Sequence, residues 1–254
     1  MIRVLILLAV LCLVHVASSQ PKGNFAFALD IASPLDLAGA LCFKTNLYPT
    51  VFLRVFSPYD RGSYESTICD SIRNANRAGL AVEVFMTPDV MAKDRNGAAQ
   101  FDKLFSSLKS CNVYVRSVWF QVTSPINWPD KQRQNIAFIE QVIARANDYR
   151  VAIGIYTNFY DWKQITGGGT AVNGAKMLWY WNVRNIGPHG ETPSNFDDFR
   201  PFGPWRSPVV KQFGQVEEVC GYITNRNIYI SSKIPIGNSM HNDSLTSIGG
   251  IGLE

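Results

Sequence analysis

Short apolar runs alternate along the chain with longer segments in which apolar residues recur at helical spacing. The short runs have strand length and are rich in β-branched and aromatic residues, and they cover 25–31, 51–56, 81–86, 114–122 and 151–156. Between them the pattern predicts helices over 34–45, 63–78, 98–109 and 130–148. Five strand–helix units in succession predict one α/β domain with a parallel sheet, and such a series tends to close into a barrel.

An open, doubly wound sheet is the alternative to a barrel. That fold commonly carries a GxGxxG fingerprint after its first strand, and no such sequence follows 25–31. The barrel is therefore the preferred architecture. After Trp162 the alternation breaks, because glycine- and proline-rich loops separate shorter apolar runs at 177–183, 209–213 and 219–229. The second half of the domain is predicted to consist of strands with few helices.

The two ends of the chain differ in pattern from its middle. Arg3, an apolar run over 4–14 and small residues at 17–19 predict a secretory signal peptide over 1–19, and the run is too short to span a bilayer. The domain itself is predicted over 20–233. Residues 234–254 are rich in Gly, Ser and Asn and predict a flexible tail, which holds the glycosylation sequon at Asn242.

Composition and charge restrict the class of partner. With 46% hydrophobic and 17% charged residues, the chain has the balance of a globular domain with a core. Its formal net charge falls from +4 to +3 without Arg3. That mildly favours anionic bacterial walls but is far from the charge of a nucleic-acid-binding protein. We expect a monomer that binds neither nucleic acid nor membrane.

The cysteine pattern predicts disulfides rather than a metal site. Removal of 1–19 takes Cys12 with it and leaves four cysteines, at positions 42, 69, 111 and 220. An even number in an oxidising compartment predicts two disulfides, and three connectivities remain open. CxxC, HExxH and paired-His spacings are absent from the sequence, so we expect no metal and no cofactor.

Candidate chemistry lies where the predicted strands end, because parallel barrels place function at the C-terminal ends of their strands. Polar or aromatic residues gather there, namely Asp30, Arg54, Thr87, Gln121, Thr123, Tyr156, Asn158, Trp179, Trp181, Gln212, Asn225 and Asn227. Asp30 stands out, because a carboxylate inside an apolar strand needs hydrogen bonds or a function. Aromatic faces suit the flat C–H faces of sugars, with core filling as the alternative, at Trp128, Tyr156, Trp179, Trp181 and Trp205.

Four motifs occur in order over nearly the whole mature chain: FALDIAS at 27–33, GIYTNFYDW at 154–162, LWY at 178–180 and KQF at 211–213. Together they resemble the Chalaropsis-type lysozymes, glycoside hydrolase family 25, in their secreted nematode branch. They are similar to that family's opening strand, its GIYTxxYxW segment, its LWxA strand and its late KQF/WQY strand. The resemblance implies a (β/α)5β3 barrel, a cleft for the glycan of bacterial peptidoglycan, muramidase chemistry and a role in innate defence or digestion of bacteria.

The resemblance also implies four acids, of which this chain keeps one, Asp30. The family's Asp-x-Glu on the fourth strand falls on Gln121-Val122-Thr123, and the Asp of its late Asp-x-Asn falls on Asn225. Residues two apart on a strand share a face, so both lost acids would point into the cleft. Gln and Thr can bind a sugar but cannot supply the proton that glycoside cleavage needs, and losing a general acid costs about 10²–10⁴-fold in rate.

Two hypotheses follow. In the preferred one, the protein binds peptidoglycan without cleaving it, through the candidate substrate-binding residues Tyr156, Asn158, Trp179, Trp181, Gln212 and Asn227. The alternative is an active muramidase (N-acetylmuramide glycanhydrolase) that uses Asp30 with an unrecognised acid, for which Asp89 and Glu83 are candidates. In both, we expect the protein outside the cytosol, either extracellular, as in a gut lumen, or in a lysosome-related vesicle.

Overall fold

Strands and helices alternate through the first two thirds of the chain in the computed structural model, which describes residues 25–58, 64–170, 172, 174–231 and 246–253. The helices are α1 (Leu37–Thr45), α2 (Tyr64–Arg77), α3 (Gly97–Ser110), α4 (Gln132–Asp148) and α5 (Phe159–Thr166). The strands are β1 (Phe25–Ile31), β2 (Thr50–Phe56), β3 (Ala81–Met86), β4 (Val113–Val115), β5 (Ser117–Gln121), β6 (Ala152–Thr157), β7 (Met177–Trp181), β8 (Val210–Val219), β9 (Tyr222–Ile230) and β10 (Thr246–Ile248). The predicted signal peptide lies outside the described residues.

Eight of the described strands close a barrel in the order β1-β2-β3-β5-β6-β7-β8-β9. Neighbouring strands are parallel from β1 to β8, whereas β9 runs antiparallel to both β8 and β1. A helix follows each of the first five barrel strands, and the last three strands follow one another without an α-helix between them. The (β/α)5β3 barrel is thereby confirmed, and closure between β1 and β9 excludes the open sheet.

Apolar side chains fill two separate layers. One layer lies between the barrel and its helices, and the other lies inside the barrel, where Phe52, Trp119 and Trp179 pack ring against ring. Gly154 leaves room for the Trp119 ring, because a Cβ at this position would overlap that ring. Large rings therefore fill the interior, and polar chemistry is left to the ends of the barrel.

Local sequence signals set several helix ends. The carboxylate of Asp36 accepts the Gly39 N–H at 2.7 Å and begins α1, and the Asn158 side chain accepts the Asp161 N–H at 2.7 Å and begins α5. Gly79, expected at the end of the second helix, has the left-handed φ of 73° that such ends favour.

The predicted strand 114–122 is wrong in its extent, because it is two strands. The run breaks at Arg116, whose backbone N–H donates to the Ile248 carbonyl at 2.9 Å. β4 lies outside the barrel and pairs with β10, while β5 belongs to the barrel. The sequence interpretation also missed α5, a helix of only eight residues.

The predicted tail is corrected in part. Residues 232–245, including the Asn242 sequon, lie outside the described residues, but 246–253 is folded against the N-terminal end of the barrel. Three backbone N–H groups bind there: Gly249 to the Val82 carbonyl at 2.9 Å, Gly250 to Ser117 Oγ at 2.7 Å, and Ile251 to Glu83 Oε1 at 2.9 Å. Ile251 is buried with the interior rings. Backbone hydrogen bonds and the buried side chains of Ile248 and Ile251, which composition does not reveal, hold this segment.

Two disulfides form, as predicted, and one of the three connectivities is selected. Cys42 of α1 pairs with Cys220 in the β8–β9 turn, and Cys69 of α2 pairs with Cys111 after α3. The first bond ties the hairpin that closes the barrel to the first helix. No helix among the described residues is long and apolar enough to cross a membrane.

Candidate functional site

The C-terminal ends of the barrel strands bring most of the predicted site residues together. Asp30 of β1 lies beside Asn225 and Asn227 of β9 and Gln212 of β8, while Gln121 of β5 is in register with Tyr156 of β6. This end of the barrel is therefore the candidate site, and its polar groups divide into an Asp30 cluster and a Gln121 cluster.

Asp30 is 4% exposed, and three amides hold its carboxylate. Oδ1 accepts from Asn225 Nδ2 at 2.8 Å. Oδ2 accepts from Asn227 Nδ2 at 2.8 Å and from Gln212 Nε2 at 3.0 Å. A carboxylate has about four acceptor positions, so most of its capacity is used within the protein.

The three amides cannot turn around without losing other hydrogen bonds. The Asn227 oxygen accepts the Trp179 indole N–H at 2.9 Å, the Gln212 oxygen accepts the Tyr156 hydroxyl at 3.1 Å, and the Asn225 oxygen accepts the Val216 N–H at 3.0 Å. Each amide must therefore present its NH₂ group to Asp30. This arrangement suits an ionised carboxylate, which only accepts hydrogen bonds.

Burial and hydrogen bonding act against each other on Asp30. Desolvation is the larger effect and raises the pKa of its carboxyl from 3.8 to about 6, whereas the hydrogen bonds from Asn227, Asn225 and Gln212 lower it. The side chain is ionised at neutral pH. A carboxylate that is buried, ionised and bonded on both oxygens is poorly placed to donate a proton or to attack a sugar.

Gln121 and Thr123 form the second cluster, with Thr87 at the end of β3. Thr87 Oγ1 donates to Gln121 Oε1 at 2.6 Å, and Gln121 Nε2 donates to Thr123 Oγ1 at 2.9 Å. The two side chains thus share a face, as their spacing predicts. They form a neutral chain of hydrogen bonds where the family resemblance implies a pair of acids.

This neutral chain forms part of the wall of a cleft of about 340 Å³. The cleft mixes polar and apolar surfaces and is lined by Pro58, Thr87, Pro88, Asp89, Val90, Met91, Gln121, Thr123, Ser124, Ile126, Asn127 and Trp128. Asp89 is therefore an acid near the Gln121 cluster. Glu83 is not, because it lies at the opposite end of the barrel, bonded to Ile251 and to the Trp119 indole.

Of the aromatic candidates, Trp181 keeps the most accessible surface. Trp179 is 0% exposed inside the barrel, Trp128 and Trp205 are also buried, and Tyr156 stacks on Trp179. Trp181, at the end of β7, is half-buried. The assignment of Trp179 to substrate binding is corrected, because a ring enclosed on all sides has no face for a sugar.

Three other predicted substrate contacts have internal partners. Gln212 and Asn227 are 0% exposed and bind Asp30. Asn158 caps α5 through its side-chain oxygen. Burial therefore corrects Gln212 and Asn227 as direct contacts, and all three hold the site in shape.

Asp161 is a site residue that the sequence interpretation missed. It is 3% exposed in the first turn of α5, and its Oδ2 accepts the Trp181 indole N–H at 3.1 Å. Burial raises the pKa of its carboxyl, against the hydrogen bonds from Trp181 and the Ser124 backbone. An acid in a first helical turn is usually explained by the helix dipole, so the sequence held no distinguishing signal.

Metal-binding groups do not gather at this end of the barrel. Among the described residues, no set of three or more His, Cys, Asp or Glu side chains could hold a metal ion. The chemistry available to the site is hydrogen bonding through amides and hydroxyls, ring stacking, the buried carboxylates of Asp30 and Asp161, and the Asp89 carboxylate in the cleft wall.

Comparison with known proteins agrees with the fold and the motif order. A family model described as Lysozyme-like protein 1 matches residues 21–213. Lysozyme-like protein 1 of Caenorhabditis elegans is 43% identical over 88% of this chain and 74% of its own length. Probable GH family 25 lysozyme 2 of Dictyostelium discoideum is 30% identical over 79% of this chain and 89% of its own.

Solved structures show the same fold at low identity. The bacterial lysozyme of Streptomyces coelicolor gives a TM-score of 0.59 at 14% identity, over 84% of this chain and 93% of that one. A family GH25 lysozyme of Aspergillus fumigatus gives 0.57 at 14% identity, over 84% and 95%. The barrel, the ordered motifs and the extended match together place this chain in the lysozyme-like family of the glycoside hydrolase family 25 type.

Proposed function

We propose that this protein is secreted and binds the glycan of bacterial peptidoglycan without cleaving it, in innate antibacterial defence or digestion. The observation that carries the proposal is the neutral chain Thr87–Gln121–Thr123, with hydrogen bonds of 2.6 and 2.9 Å. Glycoside cleavage needs a general acid and an opposing carboxylate, and neither Gln nor Thr can take those roles.

Several features support binding. The cleft offers amide and hydroxyl groups beside apolar surface, the combination that small-ligand sites use for orientation and contact area. The half-buried Trp181 ring adds an aromatic face. Two disulfides suit an oxidising compartment, in agreement with the expected export. We infer that the protein acts as a monomer, and that its place is extracellular, in a gut lumen or in a lysosome-related vesicle.

The second candidate function is muramidase activity with Asp30 and another acid. Asp89 favours it, because this acid lines the cleft beside Gln121. The hydrogen bonds from three side-chain amides to Asp30 weigh against muramidase activity, since they occupy both carboxylate oxygens. Loss of the general acid costs about 10²–10⁴-fold, so any remaining hydrolysis is expected to be slow.

The test compares binding and cleavage in one preparation of purified peptidoglycan. Sedimentation with the insoluble glycan measures binding, and the release of reducing ends measures cleavage. We expect co-sedimentation without reducing ends. Release that disappears in Asp89→Asn would establish the second candidate instead, and Asp148→Ala serves as a control because Asp148 is an exposed acid on α4. Absence of both binding and release would exclude both functions.

A further inference from the structure

Asp161 is buried in the first turn of α5, but it is not the residue that caps the helix. Asn158 caps α5, and it does so by accepting the backbone N–H of Asp161. The Asp161 carboxylate faces the neighbouring strand ends instead. Since an isolated buried carboxylate is costly, its partners must supply compensating hydrogen bonds.

Two such partners come from the end of β7 and from the loop that follows β5. The Trp181 indole donates to Asp161 Oδ2 at 3.1 Å from the end of β7. The backbone N–H of Ser124, which follows the Gln121–Thr123 pair, donates to the same carboxylate. Asp161 therefore links the ends of β5 and β7 across the end of β6.

Trp181 differs from the other tryptophans of the chain. All six lie within the described residues, and five are buried: Trp119, Trp128, Trp162, Trp179 and Trp205. Trp181 alone of the six retains a partly exposed ring. It follows Tyr180 at the end of β7, where the strand reaches the candidate site.

We propose that Asp161 is a positioning residue that holds the Trp181 indole as a stacking surface for a sugar ring of the glycan. The inference rests on the proposed function. An indole has one polar atom, and anchoring that atom fixes the direction of the ring while the exposed part of its surface stays open to a ligand. Charge-assisted hydrogen bonds in a partly dry site are among the stronger ones. A ring ordered in advance binds with a smaller loss of side-chain entropy than a mobile ring.

The test is a double-mutant cycle in which calorimetry measures the affinity of each variant for soluble peptidoglycan fragments. The variants are Asp161→Ala, Trp181→Phe and the two combined, because phenylalanine keeps a ring but lacks the indole N–H. Asp161→Asn keeps one acceptor oxygen for Trp181 and tests whether that oxygen is sufficient. Asp148→Ala controls for the loss of a negative charge.

Asp161→Ala is expected to weaken binding about tenfold in the wild-type background and by less than about twofold in the Trp181→Phe background. Asp161→Asn is expected to recover part of the loss. The amide ¹H–¹⁵N spectrum of each variant verifies folding, and the indole N–H resonance of Trp181 should shift and exchange faster in Asp161→Ala. An unshifted indole resonance would overturn the positioning role whether or not the variant binds.

Other outcomes separate the inference from the function on which it rests. Unchanged affinity in Asp161→Ala, or an equal loss in both backgrounds, would overturn the positioning role and leave glycan binding intact. A wild-type protein that binds no fragments would remove the proposed function, and the inference with it.

Discussion

Gln121 Nε2 lies 2.9 Å from Thr123 Oγ1, so the two side chains at the positions where the family resemblance implies an acid pair are hydrogen-bonded to each other. Thr87 extends the contact by donating to Gln121 Oε1. Gln121 and Thr123 are therefore mutually compatible: each supplies a hydrogen-bond partner for the other in a half-buried site. Gln121 and Thr123 form a neutral pair, and their hydrogen bonds fix the two side chains relative to each other.

Restoring both acids tests whether the rest of the site could support cleavage. In Gln121→Asp with Thr123→Glu, two carboxylates would share the face that the neutral pair now occupies, and we expect reducing ends to appear from peptidoglycan. A gain of at least about 10²-fold over the wild-type background is expected, since a general acid contributes that much. Each single substitution is the control and should release little. A folded double variant that binds peptidoglycan without cleaving it would contradict this prediction.

Replacing Asp30 with Asn should destabilise the protein although the shape is conserved. The NH₂ group of the new amide would face an NH₂ group of Asn225, Asn227 or Gln212, and their oxygens are already bonded. We expect a loss of about 2 kcal/mol in the free energy of unfolding, measured by urea denaturation at neutral pH. Asp148→Asn, on the exposed side of α4, should change it little. An unchanged urea midpoint would show that the amides can reorient.

Glu83 should make stability depend on pH. Burial raises the pKa of its carboxyl from 4.5 to about 7, so the folded state retains a proton that the unfolded state releases. The stability that the protonated Glu83 side chain contributes is fully present below pH 4.5 and is lost as the pH rises through 7. As the pH rises from 4.5 to 7, the free energy of unfolding of Glu83→Gln is expected to rise by about 3 kcal/mol relative to that of the wild type. The measurement is the difference between the free energies of unfolding of wild type and Glu83→Gln at each pH. Asp30 and Glu217, whose pKa values are also raised, are present in both proteins, so their effects cancel in this difference. A constant difference would refute the prediction.

The two disulfides should differ in their contribution to stability. Cys42 and Cys220 are 178 residues apart, whereas Cys69 and Cys111 are 42 apart. The chain-entropy relation gives about 5 kcal/mol for the longer loop and about 4 kcal/mol for the shorter one. Paired Cys→Ala variants, compared by guanidinium denaturation, should follow that order. The reverse order would indicate that residual structure in the unfolded chain dominates.

Substitutions of Trp179 and Trp181 should affect different properties, Trp179 the stability of the fold and Trp181 the binding of glycan. Trp179→Ala empties space inside the barrel and removes a donor to Asn227, so we expect a loss of about 3–5 kcal/mol in the free energy of unfolding. Trp181→Ala is expected to cost much less stability and to weaken glycan binding. Thermal unfolding and co-sedimentation with peptidoglycan, run on the same samples, distinguish the two. Equal effects of both variants on binding would contradict the assignment.

The alternation of strands and helices was predictable because the first five barrel strands are largely buried on both faces and the longer helices on one. That pattern gives five strands and the four longer helices in their order. The break at Arg116 was not predictable, because β4 leaves the barrel only to pair with β10, more than a hundred residues later in the chain. Long-range pairing of this kind leaves no local signal in hydropathy.

The sequence predicted which residues lie at the candidate site but not what each of their side chains does there. Spacing and motif order identified Asp30, Gln121 and Thr123, and strand geometry placed them at one end. The roles of Trp179 and Asn158 depend on which way each side chain is held, toward the interior or toward a helix end. The sequence interpretation missed Asp161 because its partner Trp181 lies twenty residues away, at the end of the next barrel strand.

The folded segment 246–253 has a practical consequence for experiments on the intact protein. It is anchored at the N-terminal end of the barrel through Glu83, Ser117 and Val82, on the side opposite Asp30 and Trp181. A tether attached after Leu253 would extend from the N-terminal end of the barrel, opposite the candidate site. Protein captured on a sensor surface by such a tether would present its cleft to polymer in solution. Shortening the chain before Thr246, in contrast, would uncover the base of the barrel and invite aggregation.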